Sequence, residues 1–190
     1  MVNYYYKIKY YILDFTIILL LFVYSFIVNR KIFIVSKPYG RWGNRLMLFS
    51  YIIVWAKQHN ALVLNPSFIE FKDYFRNFNK NIIGINPSRS YQLLKLPNFL
   101  LIILNESLKR ISYRQINIKK VMCFDLESED YSYEFESFQN ILSSNKVIFF
   151  YGFLFGKRNF SFVNSQRKEL KLLFEFSANI LIQSNLILNS

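Results

Sequence analysis

The sequence predicts an α/β fold with one long apolar helix in front of it. Residues 32–64 read as an apolar strand, a turn with two glycines, a long apolar-rich helix and a second strand, which together form a β-turn-α-β unit. Ahead of this unit, residues 11–28 are apolar except for Asp14. The 190 residues are 53% hydrophobic, which is enough for one domain with a core and an appendage. We therefore expect an N-terminal tail over 1–10, a transmembrane anchor over 11–29 and one α/β domain over 30–190.

The apolar segment is long enough to cross a membrane, because a spanning helix needs about 20 predominantly apolar residues. Tyrosines at positions 4–6, 10 and 11 and two lysines precede it, as is typical of an interfacial anchor. A cleavable signal peptide is the competing interpretation, but the apolar run is long for one, and 24–29 lacks the small residues that signal peptidase prefers. A buried core helix is the third. We expect an uncleaved, single-pass membrane protein.

Membrane orientation depends on the lysines and arginines that flank the segment. Lys7 and Lys9 lie before it, whereas Arg30, Lys31 and Lys37 lie after it. The small excess on the C-terminal side favours a domain that faces the cytoplasm, where bacterial nucleotide sugars are found. The opposite orientation, with the domain in a lumen, stays open.

The rest of the domain carries weaker patterns of strands and helices. The run 99–104 is either a buried strand or the start of a helix that continues to Lys109. The other predicted elements are a strand between Pro87 and Pro97, a strand at 119–124, a helix at 138–142, a strand at 146–153 and an amphipathic helix at 164–176.

Polar chemistry in the β-turn-α-β unit is concentrated in the turn. Gly40 and Gly43 lack a Cβ and so permit a sharp bend and a close approach to a ligand, and Asn44 occupies the position expected of a helix N-cap. Free amides, the positive end of the helix dipole and the guanidinium groups of Arg41 and Arg45 predict an anion site for a phosphate or pyrophosphate. The spacing matches neither the dinucleotide fingerprint nor the P-loop. The alternative is that the glycines only serve a tight connection.

The turn also resembles a known signature. It is similar to the N-terminal motif of the fucosyltransferase superfamily, which includes α-1,2-fucosyltransferases and protein O-fucosyltransferases. A later segment, 150–153, resembles the one that such enzymes carry just before their second domain. The motif stands here as Gly40-Arg41-Trp42-Gly43-Asn44-Arg45-Leu46.

The resemblance implies a Rossmann-like N-terminal domain of a GT-B glycosyltransferase, in which two such domains face a cleft. It implies substrate binding by Gly40, Arg41, Gly43, Asn44 and Arg45, although many family members carry glutamine at the position of Arg45. It implies a nucleotide sugar such as GDP-fucose as donor substrate, a glycan as acceptor and no other cofactor. Such enzymes bind the donor mainly through a His-x-Arg-x-x-Asp type motif of the second domain. The only histidine here is at position 59, outside any such motif, so we expect an acceptor-side half without activity of its own and can name no catalytic base.

Composition makes several other classes of protein improbable. One cysteine and one histidine cannot build an internal disulfide or the usual Cys/His zinc site, and no metal is expected. The acidic stretch 125–136 lacks the glycine and ligand spacing of a calcium loop and reads as a solvated loop. The formal charge of +12 comes without a nucleic-acid recognition module, so attraction to anionic lipid headgroups explains it more simply than nucleic-acid binding. Two hypotheses remain: a membrane-anchored, fucosyltransferase-like glycosyltransferase, or a non-catalytic membrane-associated α/β domain whose glycine turn is only structural.

Overall fold

The computed structural model describes residues 2–36, 41–65, 71, 74–77, 82–87, 92–95, 98–111, 120–126, 136–152, 163–177 and 180. Its helices are α1 (Val2–Ile27), α2 (Trp42–Gln58), α3 (Asn98–Ile111), α4 (Glu136–Ser144) and α5 (Arg167–Leu173). Its strands are β1 (Lys31–Val35), β2 (Ala61–Leu64), β3 (Ile82–Asn86), β4 (Gln92–Lys95), β5 (Val121–Asp125) and β6 (Val147–Tyr151).

These strands form one mixed six-stranded sheet in the order β4-β3-β2-β1-β6-β5. The four strands β2, β1, β6 and β5 are parallel, with Phe33 of β1 opposite both Val63 and Ile148. At one edge β3 and β4 add an antiparallel hairpin. In β3 the register shifts at Gly84, whose backbone lies so close to β2 that a Cβ there would stand 2.0 Å from the carbonyl oxygen of Val63. Only glycine fits this close approach.

The central strands are apolar on both sides because helices cover both faces of the sheet, as is usual for parallel strands. On one face Phe33, Ile148 and Phe150 pack with residues of α2, α4 and α5. On the other face four strand residues pack with α1 and α3: Ile32, Ile34, Val147 and Phe149, each fully buried. The helices α1 and α3 therefore make up the second layer, which we call the α1–α3 layer.

Helix α1 runs without interruption from Val2, so the part of the predicted tail that the structure describes is helical. Its stretch Lys9–Ile27 is long and apolar enough to cross a membrane, which confirms the predicted apolar segment by length and composition. A signal sequence near the N-terminus passes the same test. The span itself and its orientation stay predictions. One side of α1, including Ile17 and Ile18, contacts the sheet.

A buried ion pair joins α1 to α3. Asp14, whose side chain is 1% exposed, accepts hydrogen bonds from Nη2 of Arg110 at 2.9 Å and from its Nε at 3.2 Å. The same Nη2 donates to Oγ of buried Ser107 at 2.9 Å, and the guanidinium carbon lies 4.6 Å from the ring centroid of Tyr10. The one charged residue in the apolar segment therefore faces the protein interior.

Most of the elements predicted from sequence are present. The β-turn-α-β unit is confirmed, with α2 beginning at Trp42, three residues earlier than an N-cap at Asn44 would give. The ambiguous run 99–104 is helical, within α3, and the strand β3 was not predicted. The last predicted helix is shorter than 164–176, and most of the acidic stretch lies outside the described residues. The coarse class, α/β with a mixed sheet, is established; the Rossmann-like and GT-B assignments remain proposals.

Candidate functional site

The candidate site is the first turn of α2. Because β1 and β2 are parallel neighbours, the helix between them must begin beyond the carboxyl end of β1 and return along the sheet. Ligands of open α/β sheets bind at this carboxyl edge. The adjacent strand ends are tied together there, since Oγ of Ser36 donates to the carbonyl of Phe150 at 3.1 Å. Just beyond β6, Gly152 adopts a φ of 87°, which favours glycine.

The N-cap of α2 is Arg41, and the prediction that Asn44 caps the helix is wrong. Arg41 has extended backbone angles, φ −73° and ψ 163°, and makes no side-chain capping hydrogen bond. Its carbonyl oxygen accepts from the amide nitrogens of Asn44 at 3.0 Å and Arg45 at 3.2 Å, so helical hydrogen bonding already starts there. Asn44 is therefore the third helical residue. Its position still lies in the first turn, at the positive end of the helix dipole.

Gly43 does not serve the sharp bend for which it was singled out. It is the second residue of the helix, is exposed, and is not among the residues with positive φ. Outside its chain neighbours and the backbone of its own helix, a Cβ added to it would meet no atom within 4 Å. The sharp bend that we predicted at Gly43 is therefore wrong. The fold leaves open space beside the first helical turn, and the predicted close approach to a ligand stays a prediction. Gly40, the other glycine of the motif, lies outside the described residues.

The two arginines of the motif have different surroundings. The guanidinium of Arg45 lies over the ring of Phe71, 5.1 Å from its centroid, within the range of a cation–π interaction. Arg45 is therefore half-buried against its own domain. Arg41 is exposed. The structure favours Arg41 over Arg45 as a group that reaches a ligand.

Aromatic side chains beside this turn form a surface that the sequence did not reveal. Trp42 is 50% exposed and meets Phe176 edge to face, with ring centroids 6.4 Å apart. Phe176 stacks on buried Phe75 at 5.5 Å, and Tyr74 is 47% exposed. A bridge between Phe75 and Phe176 brings these distant parts of the chain together. Nothing in the sequence links Tyr74 and Phe75 to Phe176.

The single histidine lies at the other end of α2. His59 is the C-cap, and the helix of 17 residues separates it from Trp42 by about 25 Å. Its Nε2 lies 3.0 Å from Oε1 of Gln139. Burial lowers the pKa of His59 and the charge of Lys31 lowers it further, whereas the hydrogen bond that the ring donates to Oε1 of Gln139 acts in the opposite direction. No histidine therefore serves as a base at the first turn of α2.

Within the described part of the chain, no three His, Cys, Asp or Glu side chains are grouped so that they could hold a metal ion. Comparisons with protein-family models, with curated proteins and with solved structures find no match. The family resemblance thus rests on the sequence motifs alone, chiefly the one at 40–46.

Proposed function

We propose that this chain is a membrane-associated domain of a fucosyltransferase-like glycosyltransferase, which supplies the acceptor-side half of a GT-B enzyme. The observation that carries the proposal is the position of the motif. It places exposed Arg41 and exposed Trp42 at the start of a long helix, at the carboxyl edge of a parallel sheet. A nucleotide sugar such as GDP-fucose is the donor substrate, and a glycan is the acceptor.

Each part of the first turn has a chemical role in this proposal. Amides at a helix N-terminus and the helix dipole attract an anion, and Arg41 adds a full positive charge that would stabilise the departing diphosphate. The open space beside Gly43 lets a ligand approach the backbone. Trp42 and Tyr74 offer flat apolar faces with polar edges, which suit the apolar side of a sugar ring. The proposal assigns no base, because His59 lies at the opposite end of the helix.

A second candidate is a non-catalytic membrane-associated domain in which the motif is structural. The contact between Arg45 and Phe71 favours this alternative, because it gives one motif residue a role inside the domain. The two candidates differ in what Arg41 does. In the first it binds a ligand, whereas in the second it only begins a helix.

The test is a titration of the purified full chain with GDP, with GDP-fucose and with guanosine as an uncharged comparison. Fluorescence of exposed Trp42 reports binding beside the motif. Arg167 offers a matched control for Arg41, since α5 begins near the far end of α2, where Lys57 donates to Gln166. We expect weak GDP binding. Arg41→Ala should lower the affinity for GDP about tenfold, because it removes one charge-assisted contact, and Arg167→Ala should leave the affinity unchanged. Equal effects of both variants, or no GDP binding, would favour the structural candidate.

A further inference from the structure

The outward side of α1 is as apolar as its inward side. The buried residues of α1 include Asp14, Ile17, Ile18 and Ser25. Large hydrophobic residues on its other side are each between 45% and 76% exposed, namely Ile12, Phe15, Leu19, Leu20, Val23 and Ile27. Between Lys9 and Arg30 the only charged residue is Asp14, which faces inward. A helix that is apolar all round is normally covered all round. The described part of the domain covers only one side of α1, so the other side calls for an apolar partner.

The first half of α3 extends this surface. Four of its residues, Phe99, Leu100, Ile102 and Ile103, are exposed, and α3 covers the same sheet face as α1. The α1–α3 layer thus holds 14 of the 18 large hydrophobic side chains that are exposed in the described part of the chain. Together they expose on the order of 1,000 Å², well above the roughly 300–600 Å² of the largest patch on an ordinary monomer. A patch of this size marks an interaction surface.

Cations and aromatic rings stand at both ends of the patch. At one end are exposed Lys9 and the guanidinium of Arg110, which lies against Tyr10. At the other end Nζ of Lys146 and Nζ of Lys120 lie 5.3 Å and 5.9 Å from the ring centroid of Phe26. Glu106 of α3 is the one exposed acidic side chain described in the layer. An apolar centre bordered by cations and aromatic rings fits a bilayer surface with anionic headgroups.

We propose that the α1–α3 layer is an interfacial membrane-binding surface, on which α1 lies along an anionic bilayer while it stays packed on the sheet. This inference rests on the membrane association in the proposed function and is independent of any nucleotide sugar. In this proposal α1 lies along the membrane surface, whereas the sequence predicted that it spans the membrane. To span, α1 would have to leave the sheet, uncover Ile32, Ile34, Val147 and Phe149, and break the Asp14–Arg110 ion pair. Lying on the surface keeps all of these contacts.

Vesicle binding tests the surface. The probes are vesicles of phosphatidylcholine with phosphatidylserine, and vesicles of phosphatidylcholine alone. Leu20 is 63% exposed on α1, and Leu172, at 62%, offers a matched control on α5, which packs on the other sheet face. We expect Leu20→Glu to weaken binding to the phosphatidylserine vesicles about tenfold or more, and Leu172→Glu to leave it unchanged. Because Leu20 points away from the core, circular dichroism should show that Leu20→Glu keeps the wild-type fold.

Sidedness separates a lying helix from a spanning one. With Cys123→Ser as background, Lys9→Cys and Lys168→Cys each place one exposed thiol, at the start of α1 and on α5. Both variants are expressed in cells, and inverted and right-side-out membrane vesicles are treated with a membrane-impermeant maleimide. A lying α1 puts both thiols on one side, so both label in the same vesicle type. A spanning α1 puts them on opposite sides.

Three results would overturn the inference. Labelling of the two thiols from opposite sides would show that α1 spans the membrane. Absence of vesicle binding, together with self-association in solution that Leu20→Glu abolishes, would show that the patch contacts a second copy of the chain. A membrane-free chain whose N-terminus begins after Ile27 would show that α1 is a cleaved signal sequence. None of these readouts depends on GDP, so they fail or succeed separately from the proposed transferase function.

Discussion

The ion pair between Asp14 and Arg110 predicts an asymmetric pair of mutational effects. Arg110→Met leaves a carboxylate that is 1% exposed without its cation, whereas Asp14→Leu leaves a guanidinium that is 29% exposed and can turn toward water. Breaking a buried pair by removing one partner typically costs about 3–5 kcal/mol, because the other charge stays buried. We expect about 3 kcal/mol for Arg110→Met, at the lower end because the site is partly open, and about 1 kcal/mol for Asp14→Leu.

The double variant Asp14→Leu/Arg110→Met completes the cycle. Replacing both members of a buried ion pair by apolar side chains is often neutral, so we expect the double variant to be less destabilised than Arg110→Met alone. A double variant destabilised by about 1 kcal/mol would give a coupling energy of about 3 kcal/mol, at the upper end of what contacting residues show. Free energies of unfolding come from urea titrations of the full chain in a mild detergent, followed by circular dichroism and by the fluorescence of buried Trp55.

Two outcomes would refute this reasoning. If both single variants change the free energy of unfolding by less than about 0.5 kcal/mol, the range of ordinary surface substitutions, α1 does not pack on α3 in solution. If the two single effects simply add in the double variant, the residues do not interact. The first outcome would also remove the physical basis for a lying α1.

Four further predictions concern the glycines, the motif, pH and activity. Gly84→Ala should destabilise the fold by about 1–3 kcal/mol, because the Val63 carbonyl lies so close to this glycine. Gly43→Ala lies in open space on a helix and should stabilise the fold by up to about 1 kcal/mol. Equal effects of the two variants on the free energy of unfolding in urea titrations would contradict this geometry. Asn44→Ala should change the unfolding free energy by less than the ~1 kcal/mol of a lost N-cap, and a larger loss would restore the capping role. The pKa of His59 is lowered from 6.5, so the folded state binds a proton at His59 less readily than the unfolded state does. The free energy of unfolding should therefore be highest above pH 6.5 and fall as pH drops through the folded pKa. His59→Gln should remove this part of the pH dependence. The full chain alone should transfer no fucose from GDP-fucose to a glycan acceptor, and robust turnover in a radiolabel assay would require a different site.

Much of the parallel part of the sheet was predictable, because its signal is local. Residues that are neighbours in sequence are enough to predict the helix between β1 and β2 and the apolar runs at 32–35 and 147–150. The strand β3 was missed because it contains a glycine and belongs to an edge hairpin, which is a weaker pattern than a buried run. Its register and the need for Gly84 arise only when β3 meets β2.

The candidate site was predictable in its place but not in its details. The glycines and arginines marked the start of α2, yet the choice of Arg41 instead of Asn44 as N-cap depends on where helical hydrogen bonding begins. The contacts of Trp42 with Phe176 and of Arg45 with Phe71 join segments that are far apart in sequence. Likewise, composition showed that residues 11–28 are apolar, but only the fold shows that Asp14 meets Arg110.

The packing of α1 has a consequence for the order in which the chain is made. This helix leaves the ribosome first, but its partners on α3 and β6, including Arg110, Val147 and Phe149, are synthesised much later. Such contacts between distant parts of a chain form slowly, and an uncovered apolar helix invites aggregation during the wait. A bilayer near the site of translation would shelter α1 until the sheet is complete. The surface that we propose for membrane binding would thereby act first as a folding aid.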